Sequence, residues 1–152
     1  SAALLRMAAV EQAGGFDETY FLYYEDTDLS WRLRLAGWRI AYCHNAIATH
    51  RHAASARIGS EVFVYHNERN RLFTLVKNAP ASLAARIMLR HPVGTVRRLA
   101  LGDPVERRRG VIRVRAYRDV VRAFPRLRRQ RRSMTSQMQA RRRDVAQLLI
   151  AD

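Results

Sequence analysis

Residues 14–18 (GGFDE) and 24–38 (YEDTDLSWRLRLAGW) are the part of this 152-residue chain on which the interpretation of its fold and function depends. The second segment places Glu25, Asp26 and Asp28 at the start of an amphipathic helix, directly after an aromatic run. Carboxylates in such a position can accept a proton or hold a metal ion. The stretch therefore predicts a functional site at the start of this helix.

Local signals delimit the elements around this site. A short helix over residues 4–13 is predicted to end at the glycine pair that follows it, because glycine adopts the left-handed conformation of a helix cap without strain. The next helix is predicted to be capped by Asp26 or Thr27 and to run to Ala36. Gly37 is predicted to stop it.

Two short strands are predicted after this helix, over residues 38–43 and 46–49. A loop at residues 51–59 leads to a long helix over residues 60–78. Strands interspersed with helices predict an α/β fold for the first half of the chain.

The second half is predicted to be helical, with breaks at two prolines. Pro92 and Pro125 are each expected to end a helix, because proline lacks the backbone N–H and clashes with the preceding turn. Residues 102–104 (GDP) are predicted to form a linker. The predicted helices cover residues 81–90, 93–101, 111–124 and 138–150.

Charge is distributed unevenly along the chain. Residues 1–79 contain nine Lys or Arg and eight Asp or Glu, whereas residues 80–152 contain nineteen Arg and five acidic residues. Nearly all of the net charge of +15 therefore lies in the second half. A segment this basic indicates an anionic partner, such as phospholipid, polyprenyl phosphate or nucleic acid.

One helix of the basic half has the pattern of an interfacial helix. Val114, Tyr117, Val121 and Phe124 recur on one face, and arginines lie around the other side. This pattern favours peripheral contact with an anionic membrane surface. No apolar run in the sequence approaches the roughly 20 residues of a membrane span.

Cysteine usage and the first residues indicate the cellular context. Cys43 is the only cysteine, which excludes an internal disulfide and fits a reducing compartment. The chain starts at Ser1 inside an apolar run and shows no secretory signal. We therefore expect a cytoplasmic fragment whose N-terminal part is missing.

The sequence resembles the inverting family 2 glycosyltransferases, in particular their rhamnosyltransferase-like branch. Three features carry this resemblance: the GGFDE loop, the Glu25-Asp26 pair at a helix start, and His50, which lies 24 residues after Asp26. The Arg69-Asn70 pair in the long helix resembles the same branch. The resemblance covers residues 1–79 well, and the remaining residues only in their basic character.

The resemblance implies a role for each matching residue. Asp26 would be the general base and Glu25 would shape its environment, while His50 would help to hold Mn²⁺ or Mg²⁺. An N-cap is the competing interpretation of Asp26. Residues expected to position the acceptor are Asp28, Arg32, Tyr24 and Trp31. The loop near the site would contribute Phe16, Asp17 and Glu18.

Two local alternatives stay open beside these roles. Asp28 and Arg32 are spaced to form an ion pair within the helix, which competes with an acceptor role for both. Core packing is the competing interpretation of Trp31 and Tyr24.

The family's nucleotide-binding half, with its Asp-x-Asp metal motif, has no counterpart in this sequence. The resemblance therefore implies the acceptor-side part of a GT-A-like domain at residues 1–79, followed by a basic helical appendage at residues 80–152. The remaining metal ligands would lie in the missing half, and the fragment would be inactive alone. The complete enzyme would transfer a sugar, with inversion, from a nucleoside-diphosphate donor to a lipid-linked or glycan acceptor. That reaction belongs to cell-envelope polysaccharide synthesis at the inner face of the plasma membrane.

Two other classes of function compete with this interpretation. A nucleic-acid-binding protein would share the basic composition, although no zinc-finger spacing or RNP-like strand is present. A metal-dependent hydrolase could use Asp26, Asp28, His50 and His52 as ligands.

Overall fold

The structure, a computed structural model, describes residues 3–49 and 59–150. Within these two ranges the chain is helical and contains no strand. The helices are α1 (Met7–Gln12), α2 (Glu25–Leu35), α3 (Glu61–Asn78), α4 (Ala81–Leu101), α5 (Pro104–Thr135) and α6 (Arg142–Ile150).

The predicted α/β fold is wrong. Residues 38–43 and 46–49, predicted as strands, form neither strand nor helix. A strand requires a neighbouring strand to bond its backbone, and the described part of the chain offers none. Tyr42 and Ile47 are each 91% exposed. These two side chains are therefore not buried in a sheet. The described residues do not form the sheet expected of a GT-A-like domain.

The helix that follows the aromatic run starts two or three residues earlier than predicted. α2 begins at Glu25, and its N-cap residue is Tyr24, with φ of 69°. Asp26 and Thr27, predicted as caps, lie inside the first turn instead. Gly37 follows the helix with φ of 89°, which confirms it as the stop.

A first core cluster joins α3 to α5. The predicted helix over residues 60–78 is confirmed, and the Ser60 side chain caps it by accepting a hydrogen bond from Phe63 N at 3.2 Å. The predicted domain boundary between residues 79 and 80 falls between helices that share this core. The cluster consists of Tyr20, Leu72, Phe73, Val76, Val120 and Leu127.

Two smaller clusters place α2. Its outer side packs against α1 through Ala9, Leu29 and Leu33. Its other side contributes to a second cluster that also includes the residue after α3 and part of α6. That cluster consists of Trp31, Leu35, Ala79 and Val145. α2 is therefore held on both sides by apolar contacts.

α4 continues through Pro92, so the predicted break there is wrong. A proline in a helix frees the carbonyl four residues earlier, which here is that of Met88. The Tyr117 hydroxyl of α5 lies 3.3 Å from Met88 O and donates to it. The ring of Tyr117 also stacks on His91, with ring centroids 5.2 Å apart. Packing against α5 thus supplies the partner that the proline removes.

α5 also passes its internal proline and ends at Thr135, so the predicted end before Pro125 is wrong. The carbonyl freed by Pro125 belongs to Val121, whose side chain is 53% exposed. Water can reach this side of the helix. Val121 and Phe124 of the predicted interfacial stripe are exposed, whereas Tyr117 is partly buried against α4.

Two arginines of the basic half bind the C-terminal end of α3, where backbone carbonyls lack helical partners. Arg142 Nη1 donates to Lys77 O at 2.9 Å and to Asn78 O at 3.0 Å. Arg131 Nη1 donates to Ala79 O at 2.6 Å. Burial and the neighbouring charge of Arg131 lower the pKa of Arg142 to about 10. Part of the arginine excess therefore stabilises the fold.

Replacement of Arg142 tests this contribution. We expect Arg142→Ala to lower the free energy of unfolding by about 1.5–3 kcal/mol, because charge-assisted hydrogen bonds to otherwise free carbonyls are lost. The matched control is Arg143→Ala, whose side chain is exposed and whose loss should change the unfolding free energy by less than about 0.5 kcal/mol. Urea unfolding followed by circular dichroism measures both, and equal effects would contradict the role of Arg142.

Candidate functional site

The N-terminal turn of α2 exposes one carboxylate and partly covers another. Asp26 is exposed, and its Oδ1 accepts a hydrogen bond from Thr27 N at 2.6 Å. No group in the described residues donates to Asp26 Oδ2. Glu25 is partly buried, and its Oε2 has no hydrogen-bond partner within the same described residues. The Asp26 carboxylate is therefore accessible to a ligand, whereas Glu25 Oε2 is covered.

Asp28, only two residues later, is fully buried and bound by four donors. Arg32 Nε lies 2.9 Å from Oδ2, and Lys77 Nζ lies 3.0 Å from the carboxylate. Asn78 Nδ2 donates to Oδ1 at 2.8 Å and the Tyr20 hydroxyl at 3.3 Å. The predicted Asp28–Arg32 ion pair is confirmed. The carboxylate of Asp28 thus holds α2, the end of α3 and the preceding loop together.

Asp17 extends this network into the GGFDE loop. Lys77 Nζ lies 2.6 Å from Asp17 Oδ2, and Gln130 Nε2 of α5 donates to the same oxygen at 3.1 Å. Burial alone would raise the pKa of Asp17, but the hydrogen bonds from Lys77 and Thr19 and the charge of Lys77 hold that pKa well below its ordinary value. Asp17 is therefore a charged anchor for the loop.

Two consecutive tyrosines before α2 have left-handed backbone conformations. Tyr23 has φ of 65° and Tyr24 has φ of 69°, a region that costs non-glycine residues about 1 kcal/mol or more each. Asn70 of α3 stabilises this turn, because its Nδ2 donates to Leu22 O at 2.7 Å and to Tyr23 O at 2.8 Å. The turn sets the direction in which Glu25 enters the helix.

Arg69 holds Asn70 and the start of the same loop. Its Nε donates to Asn70 Oδ1 at 2.9 Å, which orients the amide, and its Nη2 donates to Thr19 O at 2.9 Å. In the sequence, the Arg69-Asn70 pair indicates only a resemblance to a glycosyltransferase branch. Its contacts, 47 to 50 residues away along the chain, give it a positioning role that no local pattern indicated.

The other predicted site residues lie in different surroundings. Trp31 is buried in the second cluster, and Arg32 is buried beside Asp28, where it also donates to Ala13 O. Phe16 and Glu18 are exposed in the loop, and Tyr24 is partly buried. His50 and His52 lie outside the described residues. The acceptor roles of these residues stay predictions.

The described residues do not by themselves form a metal site. They contain no group of three or more His, Cys, Asp or Glu side chains placed to hold an ion. Arg32 and Lys77 surround the Asp28 carboxylate, and two cations at hydrogen-bond distance disfavour a third. The metal role of His50 stays a prediction.

Glu68 of α3, near Tyr24, was missed by the sequence analysis. Burial alone would raise its pKa, but the His91 imidazole, 3.4 Å away, and the charges of Arg113 and Arg71 outweigh burial and lower the pKa to about 2. Burial raises the pKa of Tyr24, and the charge of Glu68 adds to this effect while that of Arg71 opposes it. A charged cluster therefore borders the site.

Comparison with known proteins gives one partial similarity. The chain is 49% identical over 55 residues to N-acetylglucosaminyl-diphospho-decaprenol L-rhamnosyltransferase from two strains of Mycobacterium tuberculosis. The matched segment is 36% of this chain and 18% of the length of those proteins. No protein-family model matches the chain, and no solved structure matches it.

Replacing Asp28 tests its structural role. Asp28→Asn should lower the free energy of unfolding by about 3–5 kcal/mol, because it leaves the buried charges of Arg32 and Lys77 without their shared partner. Asp26→Asn is the matched control and should change the unfolding free energy by less than about 0.5 kcal/mol, since Asp26 is exposed. Chemical unfolding of both variants measures the difference, and a mild Asp28→Asn phenotype would refute the role.

The lowered pKa of Glu68 predicts a specific dependence of stability on pH. Its stabilising contribution is complete above the unfolded-state pKa of 4.5 and is lost as pH falls towards the folded-state pKa of about 2. The difference in unfolding free energy between the wild type and Glu68→Gln should therefore be constant above about pH 5 and shrink below pH 4.5. Urea unfolding at a series of pH values measures it, and a constant difference down to the acid limit would contradict the charged pair.

Proposed function

We propose that this chain is part of a glycosyltransferase that transfers a sugar, with inversion, from a nucleoside-diphosphate donor to a hydroxyl group of a lipid-linked acceptor. The partial similarity to proteins named as rhamnosyltransferases acting on a diphosphate-linked decaprenol supports this class of reaction and of acceptor. The complete protein would work at the cytoplasmic face of the plasma membrane, in cell-envelope synthesis.

Asp26 is the proposed general base. As the acceptor oxygen forms its bond to the anomeric carbon, Asp26 accepts the hydroxyl proton. The bond from the anomeric carbon to the donor diphosphate breaks at the same time, and the diphosphate leaves with the electron pair. Attack from the face opposite the leaving group inverts the configuration.

The main support is the contrast between two carboxylates in one helical turn. Asp28 is fully buried with four donors, whereas Asp26 is exposed and keeps one oxygen without a donor among the described residues. A general base needs an accessible oxygen at a fixed position. The buried network around Asp28 fixes the helix, and Asp26 provides the accessible oxygen.

Glu25 and Tyr24 have supporting roles in this proposal. The partly covered Glu25 carboxylate lies beside Asp26 in sequence and favours a proton on its neighbour through its negative charge. Tyr24, which lies near Glu68 and Arg71, would line the acceptor site. Trp31 and Arg32 act through packing and through Asp28, since both are buried.

Asp26→Asn tests the proposal in the full-length product of the source gene. Sugar transfer should fall by about 10²- to 10⁴-fold, because the amide cannot accept the proton, whereas donor affinity should change little. Transfer to a polyprenyl-diphosphate-linked acceptor is followed with a radiolabelled nucleotide sugar. The matched control is Asp144→Asn, an exposed carboxylate in the first turn of α6, which should retain full activity. Full activity in Asp26→Asn would overturn the base, and absence of any transfer by the wild type would overturn the class.

A further inference from the structure

The outward side of α4 carries a stripe of exposed apolar side chains. Leu89 is 75% exposed, Val93 is 70% exposed and Val96 is 63% exposed. Their spacing places them along one face of the helix, while the opposite face packs on α5 through residues such as His91 and Thr95. No helix in the described ranges is long and apolar enough to cross a membrane. The stripe is therefore an apolar surface on a helix that already has a core-facing side.

A cationic cleft lies beside this stripe, where α4 meets α3 and α5. Its volume is about 380 Å³. Arginine side chains predominate among its lining residues, and Ile87 is the apolar residue among them. The lining residues are Arg71, Arg86, Ile87, Arg90, His91 and Arg113.

The cleft has a surplus of positive charge. Glu68 is the only carboxylate that pairs with its arginines in the described residues, at 3.2 Å from Arg71 and in direct contact with Arg113. Arg86 and Arg90 are exposed and have no carboxylate partner in that same part of the chain. Four guanidinium groups against one carboxylate leave a formal charge of +3. Such a cleft attracts an anion of more than one negative charge.

Arg86 and Arg90 lie between the cleft and the stripe. Leu89 follows Arg86 by three residues, and Val93 follows Arg90 by three, so each arginine neighbours an apolar residue on the surface of the helix. The surface therefore places a site for an anion directly next to the apolar stripe. This arrangement matches an amphiphile with a multiply charged head and a hydrocarbon tail.

We propose that the cleft binds the diphosphate of the lipid-linked acceptor, with Arg86 and Arg90 as its principal ligands, and that Leu89, Val93 and Val96 lie in the hydrocarbon of the membrane. This assignment rests on the proposed function, which supplies the class of acceptor. A diphosphate matches the charge of the cleft better than the single phosphate of a common anionic phospholipid. A second copy of the chain is disfavoured as the occupant, because it would bring like charges together.

Tyr24, the residue before the proposed catalytic turn, lies near residues of the cleft. Tyr24 precedes Glu25 directly, and both Tyr24 and Ile87 of the cleft pack against the first core cluster. The pKa of Tyr24 responds to Arg71 and Glu68, which places these charges near its hydroxyl. Arg71 therefore belongs to the cleft and also lies near the Tyr24 hydroxyl.

Binding to lipid vesicles tests the proposal with this chain. Neutral phosphatidylcholine vesicles are doped either with a polyprenyl diphosphate or with phosphatidylglycerol at equal total charge. We expect the wild type to bind the diphosphate vesicles about tenfold more tightly, and Arg86→Gln with Arg90→Gln to abolish that preference. The matched control is Arg128→Gln with Arg129→Gln, an exposed pair on α5 that removes the same charge and should keep the preference. Circular dichroism checks that the variants fold.

A second pair of variants separates the head-group site from the apolar stripe. Leu89→Ser with Val93→Ser should weaken vesicle binding about tenfold while leaving the affinity for soluble inorganic diphosphate, measured by calorimetry, unchanged. Arg86→Gln with Arg90→Gln should weaken both. Equal loss of diphosphate affinity in the two pairs would overturn the division of the surface.

Three results would overturn the assignment. Equal binding to both kinds of vesicle would show that the surface senses only membrane charge. An equal loss of the diphosphate preference in both pairs of arginine variants would show that the cleft arginines have no specific role in binding. Tighter binding to single-stranded DNA than to diphosphate vesicles, lost in Arg86→Gln with Arg90→Gln, would reassign the cleft to nucleic acid. These measurements involve no turnover, so they can fail while the proposed reaction stands, and the Asp26→Asn assay can fail while they succeed.

Discussion

The buried carboxylate of Asp28 needs compensating charge, and this requirement determines where three parts of the molecule meet. An isolated charge in the core would cost many kcal/mol, so Arg32 from α2 and Lys77 from α3 must both reach it. Lys77 also binds Asp17, which brings in the GGFDE loop. The start of α2 is therefore held by charge as well as by apolar packing. The network around Asp28 therefore fixes the positions of the exposed Asp26 and the partly covered Glu25, although neither of these residues belongs to it.

Features set by neighbours along the chain could be predicted from the sequence. The helix over residues 60–78, the stop at Gly37 and the Asp28–Arg32 pair all follow from local rules, and the structure confirms them. Pro92 was misjudged because the partner of the carbonyl that it frees, Tyr117, is 29 residues from Met88. The strand predictions were wrong for a related reason. A strand forms only when a neighbouring strand bonds its backbone, and no local sequence pattern shows whether such a neighbour is present.

The candidate site was predictable to a similar extent. Acidic residues at a helix start marked the turn that exposes Asp26, but nothing local distinguished it from the buried Asp28 two residues later. The role of Asn70 depends on backbone carbonyls 47 and 48 residues away. The arginines of the second half looked alike in the sequence, yet Arg131 and Arg142 bind the end of α3 while Arg86 and Arg90 line an open cleft. Only burial separates these two uses of one residue type.

The contacts of Arg142 have a consequence for the order in which the chain can fold. A ribosome releases α3 before α5 and α6, so the carbonyls at Lys77 and Asn78 emerge 65 and 64 residues ahead of the guanidinium that binds them. Until that guanidinium arrives, water must hydrate the end of α3, and Lys77, the residue that compensates Asp28, lies in a helical turn that is free to fray. The end of α3 thus reaches its final form only after residues up to Arg142 have been synthesised.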